Sequence, residues 1–210
     1  VLTVLPQIIV TILAGYLLGN LNGAVSISTL TAHEDVREAG SGNAGLTNVC
    51  RTYGWQYGAV VALIDLGKTL TACMVGRLLL APWGYALEGV VLAGIAVTLG
   101  HDFPATLGFR GGKGIHCGAG VALVGDWRVC VLAVSLFLIV ALVSRYVSLG
   151  SIVGAAALAA GFALWHSDRP LVVAGGCVIA ALALFMHRKN IARLLHGRER
   201  KLSIKGGHAA

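Results

Sequence analysis

Apolar stretches of bilayer-crossing length recur along almost the whole chain, near 4–24, 54–76, 86–101, 129–144, 148–165 and 170–186. A hydrocarbon core about 30 Å thick takes about 20 helical residues to cross. Inside it a backbone must satisfy its own hydrogen bonds, which leaves each stretch the form of a helix. A shorter apolar run at 115–125 reads as a tilted or partly buried helix. The predicted fold is all-α: one polytopic membrane domain over residues 1–210 with seven transmembrane helices, five or six being the alternative count. Composition agrees, with 57% hydrophobic and only 12% charged residues against about 25% charged in soluble domains, and a mean hydropathy of +0.81. No stretch is left for a separate soluble domain. The first apolar segment lacks a basic leader and a small-residue cleavage site, so it reads as the first helix rather than a signal peptide.

The net charge of +7 is unevenly placed. With alternating loops, 12 of the 16 Lys and Arg fall on one side: Arg37, Arg51, Arg110, Lys113, Arg145 and seven from Arg188 onward. Arg77, Arg128 and Arg169 take the other side, and Lys68 lies within a span. The positive-inside rule then puts the N-terminus outside and the C-terminus in the cytoplasm. The polar segments 31–53, 102–114 and 187–210 become cytoplasmic. No aromatic–basic platform accompanies the charge, so nucleic acid is excluded as a partner; anionic lipid headgroups and phosphorylated substrates fit it. The five cysteines, at 50, 73, 117, 130 and 177, form no C-x-x-C pair and read as small apolar residues.

Three polar segments carry chemistry. Residues 39–51, AGSGNAGLTNVCR, are too polar and too glycine-rich to face lipid. Their glycines can turn N–H groups toward an anion while Arg51 completes a cradle. Gly108–Gly114, GFRGGKG, sets glycines around Lys113 just before an apolar helix, as a phosphate loop would, although a bare positive-inside turn has the same composition. It is not a nucleotide P-loop: Leu107 and Gly114 stand where that pattern needs Gly and Ser or Thr. In the third segment, His187 and Asn190 share a helical face and Arg188 and Arg193 follow close by. Several polar residues remain open between packing and function: Asn20, Asn22, Ser26 and Ser28 in the first helix, Asp65 and Lys68 on one face of the second, and the interfacial His101.

The segments GSGNAGLTNVCR (40–51), GHDFPATLGFRGGKG (100–114) and HRKNIARLLHGRE (187–199), in that order, resemble the PlsY family of bacterial membrane acyltransferases. The run around Asp65 and Lys68 and RYVSLGSI at 145–152 are similar to the family too. The resemblance implies transfer of an acyl chain from acyl phosphate to glycerol 3-phosphate, giving lysophosphatidic acid and inorganic phosphate in the cytoplasmic membrane, with the three motifs converging at its cytoplasmic face. It implies no metal or other cofactor, and a substrate phosphate that accepts the hydroxyl proton. It makes Ser41, Arg51, Lys113, His187 and Asn190 the catalytic set. The enzyme that produces acyl phosphate becomes a candidate partner. Two departures stand out: Gly19-Asn20-Leu21-Asn22 where the family commonly has Gly-Ser-x-Pro, and Ile115-His116-Cys117 where small residues usually follow the glycine loop.

The chemistry of these residue types suits that reaction. An acyl phosphate carries a good leaving group, so an enzyme mainly positions it and stabilises charge. We expect Lys113 with Gly111, Gly112 and Gly114 to hold its phosphate. Ser41, Asn43, Asn48 and Arg51, with Gly42, Gly45 and Thr47 of the same loop, are expected to bind glycerol phosphate. His187 and Asn190 are expected to hydrogen-bond substrate oxygens, with His187 a second-choice general base. His101, Arg188 and Arg193 are further candidate contacts. The rival reading is a transporter of a phosphorylated metabolite, which predicts motifs on both membrane faces. A lipid-scaffolding protein leaves the Asp65/Lys68 pair and the glycine loops without a use.

Overall fold

The computed structural model describes residues 3–202, and among these the regular structure is helical, with no strand. The C-terminal residues 203–210, part of the expected cytoplasmic tail, lie outside the described residues. The first apolar stretch forms two helices, α1 (Leu5–Gly19) and α2 (Gly23–Ala32). This corrects the expectation of one helix carrying Asn20 and Asn22 in its second half. Asn22 is in extended conformation and its side chain accepts from Val25 N, so it caps α2 instead of continuing α1.

A break among apolar helices frees backbone groups that need partners, and the Asp65–Lys68 pair supplies them. Lys68 Nζ donates to the carbonyls of Gly19 and Leu21, Asp65 Oδ1 accepts from Gly23 N at 3.3 Å, and the two side chains pair at 2.8 Å. Both are almost fully enclosed. Their structural reading therefore has a concrete content: they stitch the α1–α2 break to α4 (Trp55–Leu80).

Between α2 and α4 the chain forms an irregular loop and the short helix α3 (Leu46–Thr52). Ala24, Val36, Val49 and Val61 make a small core beneath the loop and hold it against α2 and α4. Helix α5 (Ala86–Asp102) packs against α1 and α4 through small residues. A Cβ on Gly19 would meet the Val97 carbonyl and Gly100, and one on Gly76 would meet the Gly89 carbonyl, so these helices approach nearly backbone to backbone. Pro104 ends α5's run, and Phe103 before it leaves helical conformation.

The remaining helices are α6 (Ile115–Gly125), α7 (Trp127–Ser144), α8 (Val147–Trp165), α9 (Pro170–Met186) and α10 (Arg188–Leu195). A larger core of Val90, Val91, Val121, Val129, Leu158, Phe162, Val172 and Ile179 binds α5 to α9 together. Leu17, Leu63, Leu142 and Val143 lie on the outer surface, as a lipid-facing shell requires.

Among the described residues, five helical stretches are long and apolar enough to cross a membrane: Leu5–Ala32, Trp55–Trp83, Ala86–Leu107, Trp127–Ser144 and Val147–Trp165. A sixth is reached by counting Pro170–Met186 with Arg188–Leu195, which are bent by 59°. The seventh expected span, α6, has 11 residues, about 16 Å of helix, half a hydrocarbon thickness. It fits because the preceding loop is seated in the protein: Gly111 and Gly112 N–H groups bond to the Asp102 and His101 carbonyls at 3.1 and 3.0 Å. Further along, Gly120 lies against Thr69, and Val124 O accepts from Arg77 near the end of α4.

Candidate active site

The three polar segments border one cavity of about 740 Å³, which also runs between α6, α7, α8 and α9. Ser41, Gly42, Asn43, Gly45, Thr47, Asn48 and Arg51 line it from the first segment, His101, Lys113 and Gly114 from the second, and His187, Arg188, Asn190 and Arg193 from the third. Gly111 and Gly112 do not.

The first loop is shaped by Asn48. Its Nδ2 donates to the Val36 and Ala39 carbonyls and its Oδ1 accepts from Ser41 N at 2.8 Å. The residue is buried and both ends of its amide are bonded within the loop, so it builds the cradle as well as bordering the cavity. Gly40, at φ +60°, fits because a Cβ there would run into Asn48 Oδ1. Arg37, which sequence treated only as topology signal, is paired with Asp35 at 2.6 Å and donates to the Leu107 and Arg110 carbonyls, tying the first loop to the second. The Ser41 hydroxyl and Arg51 guanidinium are exposed at the cavity and bond no described residue.

The second segment corrects the expected phosphate loop. The N–H groups of Gly111 and Gly112 are consumed by α5 carbonyls, so they are not free for an anion. These two residues are glycines for lack of space: a Cβ on Gly112 would strike the His101 ring, and one on Gly111 the His101 carbonyl. The available donors shift to the start of α6, where Gly114, at φ +68°, opens the helix. Its first-turn N–H groups have no intrahelical acceptor, and Gly114, Ile115 and His116 border the cavity. His101 Nδ1 lies 2.9 Å from Lys68 Nζ, an ammonium that can only donate. His101 Nδ1 is therefore the acceptor, and Nε2 carries the proton.

In the third segment His187 stands at the bend between α9 and α10. Its Nδ1 is 2.8 Å from the Ala183 carbonyl, an acceptor only, which leaves Nε2 with a lone pair in the neutral ring. Asn190 Oδ1 accepts from Lys113 Nζ at 2.6 Å, and its Nδ2 donates to Glu199 Oε1 at 2.7 Å. Glu199 also accepts from Ser148 Oγ at 2.8 Å and Arg193 Nε at 2.6 Å. These donors hold its carboxyl below the usual range against the opposing effect of burial. Arg188 borders the cavity, and its guanidinium stacks on Phe185 at 4.2 Å while Nη1 donates to that residue's carbonyl.

Burial lowers the Lys113 ammonium to about 8, with the nearby Arg193 and Arg51 pushing the same way and Glu199 opposing. Glu199 and Ser148 also border the cavity but are not picked out by residue type and spacing; His116, which stands out in the sequence as a departure from the family, borders it too. The signal for Glu199 is its place as the sole acid in a basic tail, and Ser148 falls within RYVSLGSI. The site thus unites an exposed Ser and Arg, a lysine clamped by an asparagine, a helix N-terminus and a neutral histidine. Such a set can hold two anions side by side and polarise a hydroxyl between them.

Residues 9–197 match the sequence model of the family described as glycerol-3-phosphate acyltransferase. The chain belongs to this family. The glycerol-3-phosphate acyltransferase of Thermoanaerobacter sp. (strain X514) is 38% identical over 198 residues, covering 94% of this chain and 96% of that one. The enzyme of the same name from Clostridioides difficile (strain 630) is 37% identical over 203 residues, covering 96% and 98%. Two crystal structures of PlsY, an integral membrane glycerol 3-phosphate acyltransferase, share the fold. Its glycerol 3-phosphate form superposes with a TM-score of 0.84 at 32% identity, covering 93% of this chain and 96% of that one. Its lysophosphatidic acid form gives 0.82 at 30%, covering 93% and 95%. The glycerol-3-phosphate acyltransferase family thus accounts for the whole helical fold, and the chain is a multi-pass membrane acyltransferase; the transporter reading is not favoured.

Proposed function

We propose that this acyltransferase moves a fatty acyl group from acyl phosphate to glycerol 3-phosphate, releasing lysophosphatidic acid and inorganic phosphate. The observation that carries the proposal is the junction within one cavity of a polar end, bordered by Ser41, Arg51, Lys113 and His187, with an apolar passage between α7, α8 and α9. Such a cavity suits a phosphate head with a long hydrocarbon tail.

In this reading Lys113 and the first turn of α6 hold the acyl-phosphate head, and Arg51 with Ser41 and Asn43 holds glycerol 3-phosphate. The glycerol hydroxyl oxygen attacks the acyl carbon while the bond from that carbon to the phosphate oxygen breaks. The hydroxyl proton passes to a substrate phosphate oxygen, with His187 Nε2 hydrogen-bonding the same hydroxyl. The charge that builds on the departing phosphate is met by Lys113, held in place by Asn190. Catalysis is then mostly positioning and electrostatic stabilisation by groups fixed beforehand. The charge asymmetry supports a bacterial cytoplasmic membrane with the N-terminus outside, the site on the cytoplasmic face, and α6 completing seven crossings.

Purified protein in detergent or lipidic mesophase tests this. Palmitoyl phosphate with glycerol 3-phosphate should yield lysophosphatidic acid and inorganic phosphate, and palmitoyl-CoA should yield none. No product from palmitoyl phosphate, or equal turnover from the thioester, would overturn the proposed donor.

A further inference from the structure

The apolar part of the cavity runs down to buried side chains. Its polar end is marked on α8 by Ser148, bonded to Glu199, and on α9 by His187. Deeper in, the lining stops at Leu158 on α8 and Ile179 on α9, both almost fully buried. One turn beyond Leu158 lies Phe162, with no exposed surface, wedged against Gly125 and Gly176 and packed into the core of α5 to α9. Leu158 and Ile179 thus form a floor on solid protein.

Two helices give similar depths. Ser148 to Leu158 is ten residues along α8, about 15 Å. His187 to Ile179 is eight residues along α9, about 12 Å. An extended zigzag of C–C bonds of about 1.5 Å spans that depth with roughly twelve carbons. Opposite the floor is Gly118 of α6, where an added Cβ would sit 3.5 Å from Leu158 Cδ1 and 3.9 Å from Ile179 Cγ2.

We infer that Leu158 and Ile179, faced by Gly118, form a ruler that sets which acyl-chain lengths this enzyme transfers efficiently. This rests on the proposed acyl phosphate reaction. A donor already dissolved in lipid gains little by moving its tail to another apolar place, so discrimination comes from fit. A chain longer than the groove must fold or leave it, pulling the reacting carbon away from the phosphate-binding groups. Shape misfit in an apolar pocket discriminates by about tenfold or more per methylene.

The test compares dodecanoyl phosphate and hexadecanoyl phosphate on the full-length enzyme in the same detergent, with kcat/KM for each and a thermal melt for each variant. Leu158→Ala deepens the groove and should raise the hexadecanoyl-to-dodecanoyl ratio at least about fivefold. Gly118→Leu fills the floor and should lower that ratio by a similar factor, with the KM for glycerol 3-phosphate unchanged in both. Ratios that stay within about twofold of wild type, or that move the same way in both variants, overturn the ruler. If one variant melts before assay, the direction in the other decides. Product from wild type without a shift in either variant removes the ruler alone, whereas no product from wild type with any donor removes the reaction and the ruler with it.

Discussion

Lys113 Nζ donates to Asn190 Oδ1 at 2.6 Å, joining two segments 77 residues apart in the chain. Asn190 is held from its other side by Glu199, so the amide cannot turn and present its NH2 to the lysine. Asn190→Ala should therefore misplace the ammonium without removing it. Hydrogen bonds to charged groups contribute about 1.5–3 kcal/mol, so kcat/KM for acyl phosphate should fall roughly 10- to 100-fold. In a double-mutant cycle, Asn190→Ala should add little to Lys113→Ala; fully additive losses would mean that the pair does not act together.

The state of Lys113 sets a pH dependence. Burial, Arg193 and Arg51 bring its pKa down to about 8. Below that pH the ammonium is charged and binds phosphate; above it the group is neutral and the attraction is lost. The kcat/KM for acyl phosphate should therefore decline as pH rises through about 8, while kcat, read with phosphate bound, should decline at higher pH. Lys113→Arg, which stays charged, should move the kcat/KM limb upward even if its rate is lower. A limb unmoved in Lys113→Arg would assign the titration to another group.

Gly112 offers a separation of space from chemistry. Its N–H is already bonded to the His101 carbonyl, so Gly112→Ala removes no donor from a substrate. The added methyl meets the His101 ring, itself held by Lys68, and the loop has to shift Lys113 to make room. We expect folded protein with a KM for acyl phosphate raised at least about tenfold, since small misplacements at a reacting centre cost rate steeply. Wild-type kinetics in this variant would show that the loop can yield without moving the lysine.

Much of this was legible in the sequence, for identifiable reasons. The apolar stretches follow from composition alone, and the cavity-lining Ser41, Arg51, Lys113, His187 and Asn190 stand out as polar residues in an apolar chain. Less legible was what each polar group bonds to. Asn48 has the chemistry of a ligand, yet its partners Val36 O and Ala39 O become neighbours only once the loop folds over the core at Val49. The N–H groups of Gly111 and Gly112 read as anion donors because nothing local reveals that α5 carbonyls take them. The apolar run at 115–125 marks α6 itself, but nothing local shows why so short a helix suffices, since that depends on how deep the preceding loop sits.

The Asp65–Lys68 pair yields a last prediction, on stability instead of rate. Lys68→Met leaves the Asp65 carboxylate, about 1% exposed, without its cation, and strips partners from the Gly19 and Leu21 carbonyls at the α1–α2 break. Breaking a buried pair on one side costs about 3–5 kcal/mol, whereas removing both charges is far milder. Lys68→Met should therefore lower the melting midpoint in detergent by several degrees. The double variant Asp65→Asn/Lys68→Met should recover most of that loss but not all, because the Gly19 and Leu21 carbonyls stay without the ammonium. Midpoints equal to wild type in both variants would mean that the break is held elsewhere. A double variant no more stable than Lys68→Met would mean that the carbonyl contacts, not the ion pair, carry the stabilisation.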